Sequence, residues 1–226
     1  MTAEKRAGRF VAFEGGEGAG KSTQARMLAN ALKHHGIDAD VTREPGGTAG
    51  AEAIRELLLS PPDAGLSGGW GARSEALLFA AARSDHVEKR IRPAIAAGTW
   101  IVCDRFVDSS RAYQGGAGGI GDEAICMLHD FGSKGLRPDL TILLQADPDK
   151  VTQRLALRDG DESDAIGGRG PDYHGKVAAR FAALAEADPA GFAVIDGSGD
   201  AAAVHRQVMY ALAPMIAEAQ GRQARA

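Results

Sequence analysis

Residues Gly15-Gly16-Glu17-Gly18-Ala19-Gly20-Lys21-Ser22 constrain this chain more than any other stretch, because they fit the phosphate-binding pattern G-x-x-x-x-G-K-[ST] with the right neighbours. Ahead of them runs the apolar hexamer Arg9 to Glu14. Behind them Met27, Leu28, Ala31 and Leu32 recur at helical spacing. Strand, glycine turn, helix is the context in which such a motif works. Glycines let the backbone curl until several N–H groups face one polyphosphate. The start of the helix adds partial positive charge at the same place. Lys21 is then within reach of β- and γ-phosphates, and Ser22 is placed to hold Mg²⁺. A plain glycine turn before a capped helix would account for the glycines and Ser22, but not for a lysine among them.

The rest of the chain alternates in the same way. Short apolar runs predict strands at Phe10–Glu14, Ala39–Arg43, Trp100–Asp104, Leu140–Leu144 and Phe192–Ile195. Helical patterns predict Lys21–His35, Thr48–Leu59, Arg73–Ala97, Gly121–Gly132, Pro148–Arg158, Gly175–Ala187 and Ala201–Gln220. The expected fold is α/β, three layers, with a five-stranded parallel sheet flanked by helices. At 226 residues this is one domain, 1–226. Ser60–Gly71 reads as a surface loop. The arginine-bearing stretch of about 158–175 reads as a mobile lid or as a plain connector. The tail 221–226 is expected to fray.

A net charge of −4 argues against binding a nucleic acid polymer or an anionic membrane, so any anion site must be built locally. Cys103 and Cys126 lack metal-type spacing and read as reduced thiols. The polar start shows no secretory signal and no run reaches membrane-spanning length, so the expected location is the cytoplasm.

Two arginines narrow the chemistry. Arg43 ends the second strand and Arg105 follows the third, on the sheet edge where ligands of open parallel sheets bind. A guanidinium fork suits phosphate oxygens, so the pair favours a second phosphate beside the first, although either arginine alone reads as a surface ion pair. Asp104 fits either the Mg²⁺ hydration shell or a pair with Arg105. Phe79 and Arg83 are four residues apart on one helix face, which allows a stacking ring beside a carbonyl donor; Phe79 also reads as a core residue. Tyr113 and Gln114 add polar groups, and Tyr113 reads equally as a helix-end tyrosine.

Phe13 to Ser22, Thr42-Arg43-Glu44-Pro45-Gly46-Gly47-Thr48, Leu78-Phe79-Ala80-Ala81-Ala82-Arg83, Asp104-Arg105-Phe106 and Ala112-Tyr113-Gln114-Gly115 together closely resemble the bacterial thymidylate kinase (dTMP kinase) family. Arg137-Pro138-Asp139 matches as well, and the resemblance runs from Phe10 to about residue 212. It implies transfer of the γ-phosphoryl group of ATP to dTMP with Mg²⁺, by a P-loop nucleoside monophosphate kinase fold that is usually dimeric. Gly15, Gly16, Glu17, Gly18, Ala19, Gly20, Lys21, Ser22 and Thr23 would hold ATP, and Ser22 and Asp104 the metal. Arg43 and Arg105 would grip the dTMP phosphate, and Glu17 would sit near the sugar 3′-hydroxyl. Phe79 would stack on thymine and Arg83 donate to a thymine carbonyl. Ser110, Tyr113 and Gln114 would line the nucleoside pocket.

Two departures matter. The resemblance leads one to expect Asp-Arg-Ile-Glu in the lid, but the chain has Asp164-Ala165-Ile166-Gly167. Arg169 is therefore the first candidate for the γ-phosphate, Arg158 the second, and Arg154 the neighbour of adenine. Gln145 ends a strand where aspartate is common. Rival readings are another nucleoside monophosphate or deoxynucleoside kinase, and a regulatory module that binds ATP without transferring phosphate.

Overall fold

The computed structural model describes residues 8–60, 69–147, 150–151 and 169–223. Successive side chains of a strand point to opposite faces, so a wholly apolar strand has to be covered on both sides. β1 (Phe10–Gly15) is buried along its whole length; Val11 and Phe13 enter one core, Phe10 and Ala12 another. β3 (Trp100–Asp104) divides in the same way, Trp100 and Val102 against Ile101 and Cys103. With β2 (Ala39–Arg43), β4 (Leu140–Gln145) and β5 (Phe192–Asp196) they make a five-stranded sheet in the order β2-β3-β1-β4-β5, with every pairing parallel.

Helices cover both faces, as the alternating pattern predicts. α1 (Lys21–His34) and α8 (Ala201–Gln223) send Leu28, Leu32, Val208 and Leu212 into the first core. On the other face α3 (Ala72–His86) passes through a π-helical turn, Val87–Ile91, into α4 (Arg92–Ala97), and Val87 and Ile91 fill the second core. α7 (Pro171–Ala187) packs Val177, Phe181 and Leu184 against Leu143 and Phe192. α2 (Ala49–Leu59), the short α5 (Val107–Ser110) and α6 (Asp122–Ser133) complete the described helices apart from a second π-helical segment, Arg111–Ala117, and the helical 150–151. Among the described residues no helix is long and apolar enough to cross a membrane.

Several boundaries differ from the sequence expectation. The single predicted helix Arg73–Ala97 is widened at Val87–Ile91, one residue before Arg92-Pro93. Proline lacks an N–H and its ring crowds the carbonyl four residues back, which a π turn relieves. α7 begins at Pro171 rather than Gly175, because proline fits the first helical turn. The helical run from Val107 to Ala117 was hidden by its two glycines. α8 continues to Gln223, so 221–223 are helical rather than frayed. Most of the predicted helix Pro148–Arg158, residues 61–68 of the predicted loop and 158–168 of the predicted lid lie outside the described residues.

The strand order positions the site. β1 lies between β3 and β4, so the chain leaves it on both sides and a crevice opens beyond its carboxyl end. Gly15 turns the chain there at φ +135°, and an added Cβ would lie 2.4 Å from the Leu144 carbonyl oxygen, so only glycine fits.

Candidate active site

A cavity of about 650 Å³ opens over the ends of β1, β2 and β3. Its wall includes Glu17, Gly18, Gly20, Lys21, Ser22 and Thr23 of the glycine loop, while Ala19 is buried in the core beneath. Gly20 caps α1 in the left-handed conformation, at φ +93°. No acidic residue occupies the first turn of α1, so its N-terminal positive potential is unopposed there. Lys21 is 6% exposed and donates to the Gly16 carbonyl at 2.6 Å, across the mouth of the loop. Burial, and then Arg105, lower its pKa to about 7 against the pull of Asp104, Glu14 and Glu17. An anionic ligand in the loop would restore the charge.

Ser22 Oγ donates to Asp104 Oδ2, so Asp104 faces the loop rather than pairing with Arg105. Asp104 Oδ1 is buried with no hydrogen-bond partner among the described residues. A buried, unpartnered carboxylate oxygen beside a serine hydroxyl fits a hydrated divalent cation. Among the described residues no cluster of three or more acidic, histidine or cysteine side chains forms a metal cage. Mg²⁺ fits such a site by sharing its coordination with waters and phosphates.

Two guanidiniums face this cradle. Arg43, half exposed, donates from a single nitrogen to both carboxylate oxygens of Glu52 at 3.1 and 2.9 Å, an ion pair of the weak surface kind. Arg105 occupies the left-handed region at φ +68°, unusual for a long side chain. It donates to the Gly15 carbonyl and Ser109 Oγ, both at 3.2 Å, and lies 5.2 Å from the centre of the Tyr113 ring. Burial works against its charge, but Tyr113, Asp104 and Glu14 more than offset that and raise its pKa.

Glu14 explains this geometry, and the sequence reading passed over it as the last residue of an apolar strand. It is fully buried; Oε1 accepts the Phe106 and Ser109 N–H groups at 2.8 and 3.0 Å, and Oε2 accepts Ser109 Oγ–H at 2.6 Å. Burial and the neighbouring Asp108 push its pKa up to about 7, against Ser109, Arg105 and the Phe106 amide. A charged residue closing a buried strand was the available signal.

The base-sized end of the cavity lies between α3 and the turn after β3. Phe79 is half-buried, lines the cavity and joins none of the core clusters, which answers its core alternative. Arg83 is 4% exposed and donates to Glu44 Oε2 at 2.7 Å, Ser110 Oγ at 2.9 Å and the Phe106 carbonyl at 3.2 Å. Glu44 Oε1 also meets His86 Nδ1 at 3.0 Å, and His86 Nε2 reaches Thr42 Oγ1 at 2.7 Å. Burial would raise the Glu44 pKa, but Arg83 and His86 together hold it below the usual range. Glu44 and His86 were also missed, although Glu44 stands next to Arg43 in the motif. Ser110, Tyr113 and Gln114 complete the wall; the Tyr113 hydroxyl is buried with no partner among the described residues.

The structure thus brings Lys21, Ser22, Arg43, Phe79, Arg83, Asp104, Arg105, Ser110, Tyr113 and Gln114 into one cavity wall. Arg169 lies outside that wall, with its guanidinium on Glu75 and the Tyr173 hydroxyl. Arg154 and Arg158 lie outside the described residues.

The sequence matches the thymidylate kinase family model over residues 13–208. It is 51% identical over 209 residues to a thymidylate kinase of Rhizorhabdus wittichii, covering 92% of this chain and 99% of that protein. It is 44% identical over 211 residues to one of Nitrobacter winogradskyi (93% and 90% covered) and 43% identical over 199 to one of Symbiobacterium thermophilum (88% and 90% covered). Matches of this extent, together with the parallel sheet and its glycine loop, place the chain in the thymidylate kinase family.

Proposed function

We propose that this protein transfers the γ-phosphoryl group of ATP to dTMP, giving dTDP and ADP. One observation carries the reading. A single cavity joins the Lys21–Ser22 cradle to the Arg43 and Arg105 guanidiniums and to a slot between Phe79 and Arg83. That is room for a polyphosphate, a second phosphate and a base in sequence. The rival of a nucleotide-binding regulatory module leaves Phe79, Arg83 and Tyr113 without a task.

The acceptor oxygen belongs to an already ionised phosphate, so no general base is needed and the protein's work is alignment and charge neutralisation. The loop amides and Lys21 hold the donor phosphates. Arg105, anchored through Ser109 and the Gly15 carbonyl, faces the region where the two anions meet and offsets their repulsion. Arg43 releases Glu52 to take the acceptor phosphate. Ser22 and Asp104 would hold Mg²⁺, which supplies charge neutralisation on the donor phosphates. Tyr113, beside the deoxyribose, disfavours a 2′-hydroxyl. The arginine that meets the γ-phosphate is Arg169, once it releases Glu75, or Arg158. Near-normal turnover in both Arg169→Ala and Arg158→Ala would sink that assignment.

We further read the protein as one cytoplasmic domain spanning 1–226 that works as a homodimer. Leu77 on α3 and Met127 and Phe131 on the adjoining α6 support pairing, since they are 55%, 61% and 92% exposed. A coupled ADP-release assay with dTMP, dUMP, CMP and thymidine tests the function. Preference for dTMP is expected; preference for CMP or thymidine overturns it.

A further inference from the structure

Behind the cavity wall lies a closed ring of hydrogen bonds centred on Glu75, a residue to which the reaction above gives no chemical part. Gln114, 3% exposed and part of the wall, donates its side-chain N–H to Glu75 Oε1 at 2.8 Å. The other oxygen of Glu75 takes the Arg169 guanidinium. Arg169 also donates to the Tyr173 hydroxyl at 2.6 Å and lies 4.8 Å from the centre of that ring. Tyr173 donates in turn to the Tyr113 carbonyl at 3.1 Å, one residue before Gln114. Three separated parts of the chain therefore meet behind one amide: α3, the π-helical segment Arg111–Ala117 and the start of α7.

The oxygen and nitrogen of a glutamine amide exchange places at little cost unless a neighbour dictates them. Here the neighbour dictates them. A carboxylate paired with a guanidinium only accepts, so Gln114 must turn its NH₂ to Glu75. Its Oε1 is left without a partner among the described residues, in a residue that lines the cavity. Across the slot Arg83 offers donors alone. A donor beside an acceptor complements the imide edge of a pyrimidine, which presents a carbonyl oxygen and a ring N–H. The amidine edge of cytosine, an amino group and a ring nitrogen acceptor, mismatches at both places.

We propose that Glu75 is a positioning residue: it fixes the acceptor oxygen of Gln114 toward the base slot and so sets selection of thymine-type over cytosine-type monophosphates. The inference rests on the dTMP kinase reading above. Glu75 touches no substrate and acts on the base slot through the Gln114 amide.

The test is kcat/KM for dTMP, dUMP and dCMP in the wild type, Glu75→Gln and Gln114→Met, by coupled ADP release. A glutamine at 75 both donates and accepts, so the Gln114 amide is free to turn over. The dTMP-to-dCMP ratio is expected to fall about tenfold, through a higher KM for dTMP, because a site that no longer imposes its hydrogen bonds loses discrimination. The dTMP-to-dUMP ratio should stay within twofold, since both imide bases present the same edge. A general loosening of the fold would lower all three substrates together and would overturn the inference, as would a ratio unchanged in Glu75→Gln. Should Glu75→Gln fail to fold, Gln114→Met decides: an unchanged dTMP-to-dCMP ratio overturns the inference and a fallen one upholds it. A wild-type protein inactive on dTMP would overturn the kinase reading and this inference with it, whereas an active wild type with unmoved ratios overturns the inference alone.

Discussion

Glu44→Gln changes one oxygen to nitrogen at the most enclosed ionic centre of the cavity. The side chains of Glu44, Arg83 and His86 are 3%, 4% and 0% exposed, with contacts of 2.7 Å to Arg83 and 3.0 Å to His86. A glutamine keeps the shape but loses the charge that the Arg83 guanidinium pairs with. Removing one partner of a buried pair leaves the other charge uncompensated, at about 3–5 kcal/mol. We take about 3 kcal/mol, since one acceptor oxygen remains; at a urea m-value near 2 kcal/mol/M that lowers the midpoint by about 1.5 M. Sign matters for pH. The folded carboxyl is held below its unfolded value of 4.5, so its stabilisation is present above that value and lost as pH falls through the folded pKa. The deficit of Glu44→Gln should therefore be full at neutral pH and shrink in acid. Urea titrations at several pH values measure both. Adding Arg83→Met to Glu44→Gln should cost less than Arg83→Met alone, because the charge no longer needs its partner. A loss below about 1 kcal/mol at neutral pH, or strict additivity in that cycle, would refute the account of a buried and coupled pair.

Phe79→Ala should raise the KM for dTMP about tenfold and leave the KM for ATP unchanged, as expected for one lost stacking platform; steady-state kinetics with each substrate varied separates the two. Arg105→Lys keeps the charge but not the fork, and kcat/KM for dTMP should fall roughly 10²-fold with the urea midpoint little changed. His129 is buried, and burial followed by Arg83 lowers its pKa from 6.5 to about 4. The unfolded chain takes up a proton on this group below pH 6.5 and the fold does not, so stability falls from pH 6.5 to about 4, by about 3 kcal/mol for this one group. His129→Gln should flatten that part of the wild-type stability-against-pH curve, read from urea midpoints.

The layering of the fold was legible because β1 and β3 are apolar up to the carboxylates near their ends, Glu14 and Asp104, a run that only a strand covered on both faces tolerates. Strand order was not, since a strand's own residues carry no record of which neighbour it pairs with. Lys21, Arg43, Phe79 and Arg105 were legible as types at telling positions: inside a glycine loop, at strand ends, one helical turn apart. Glu14, Glu44, Glu75 and His86 were not. A carboxylate beneath a guanidinium looks in sequence like any other acid in a strand or helix, and its burial appears only when distant segments meet. Arg169 illustrates the same limit: its number placed it near a lid, but Glu75, 94 positions away, decides where its charge goes.

Those buried acids follow from the chemistry the cavity has to serve. A site for two polyanions needs several cations close together before either ligand arrives, and such cations repel one another; Arg105 already lowers the pKa of Lys21. Solvated counter-charges would be displaced with the water when ligands enter. Carboxylates set behind the guanidiniums are not displaced. Glu44 holds Arg83 from behind, and Glu14 reaches Arg105 through Ser109, which leaves the faces of both arginines toward the cavity. Arg43 is the exception in kind, held by one nitrogen on an exposed Glu52. Its anchor is the weak, surface sort that a phosphate can outbid. Deeply anchored arginines keep the site assembled when empty, and on the proposed reaction the loosely anchored one would follow the acceptor phosphate in.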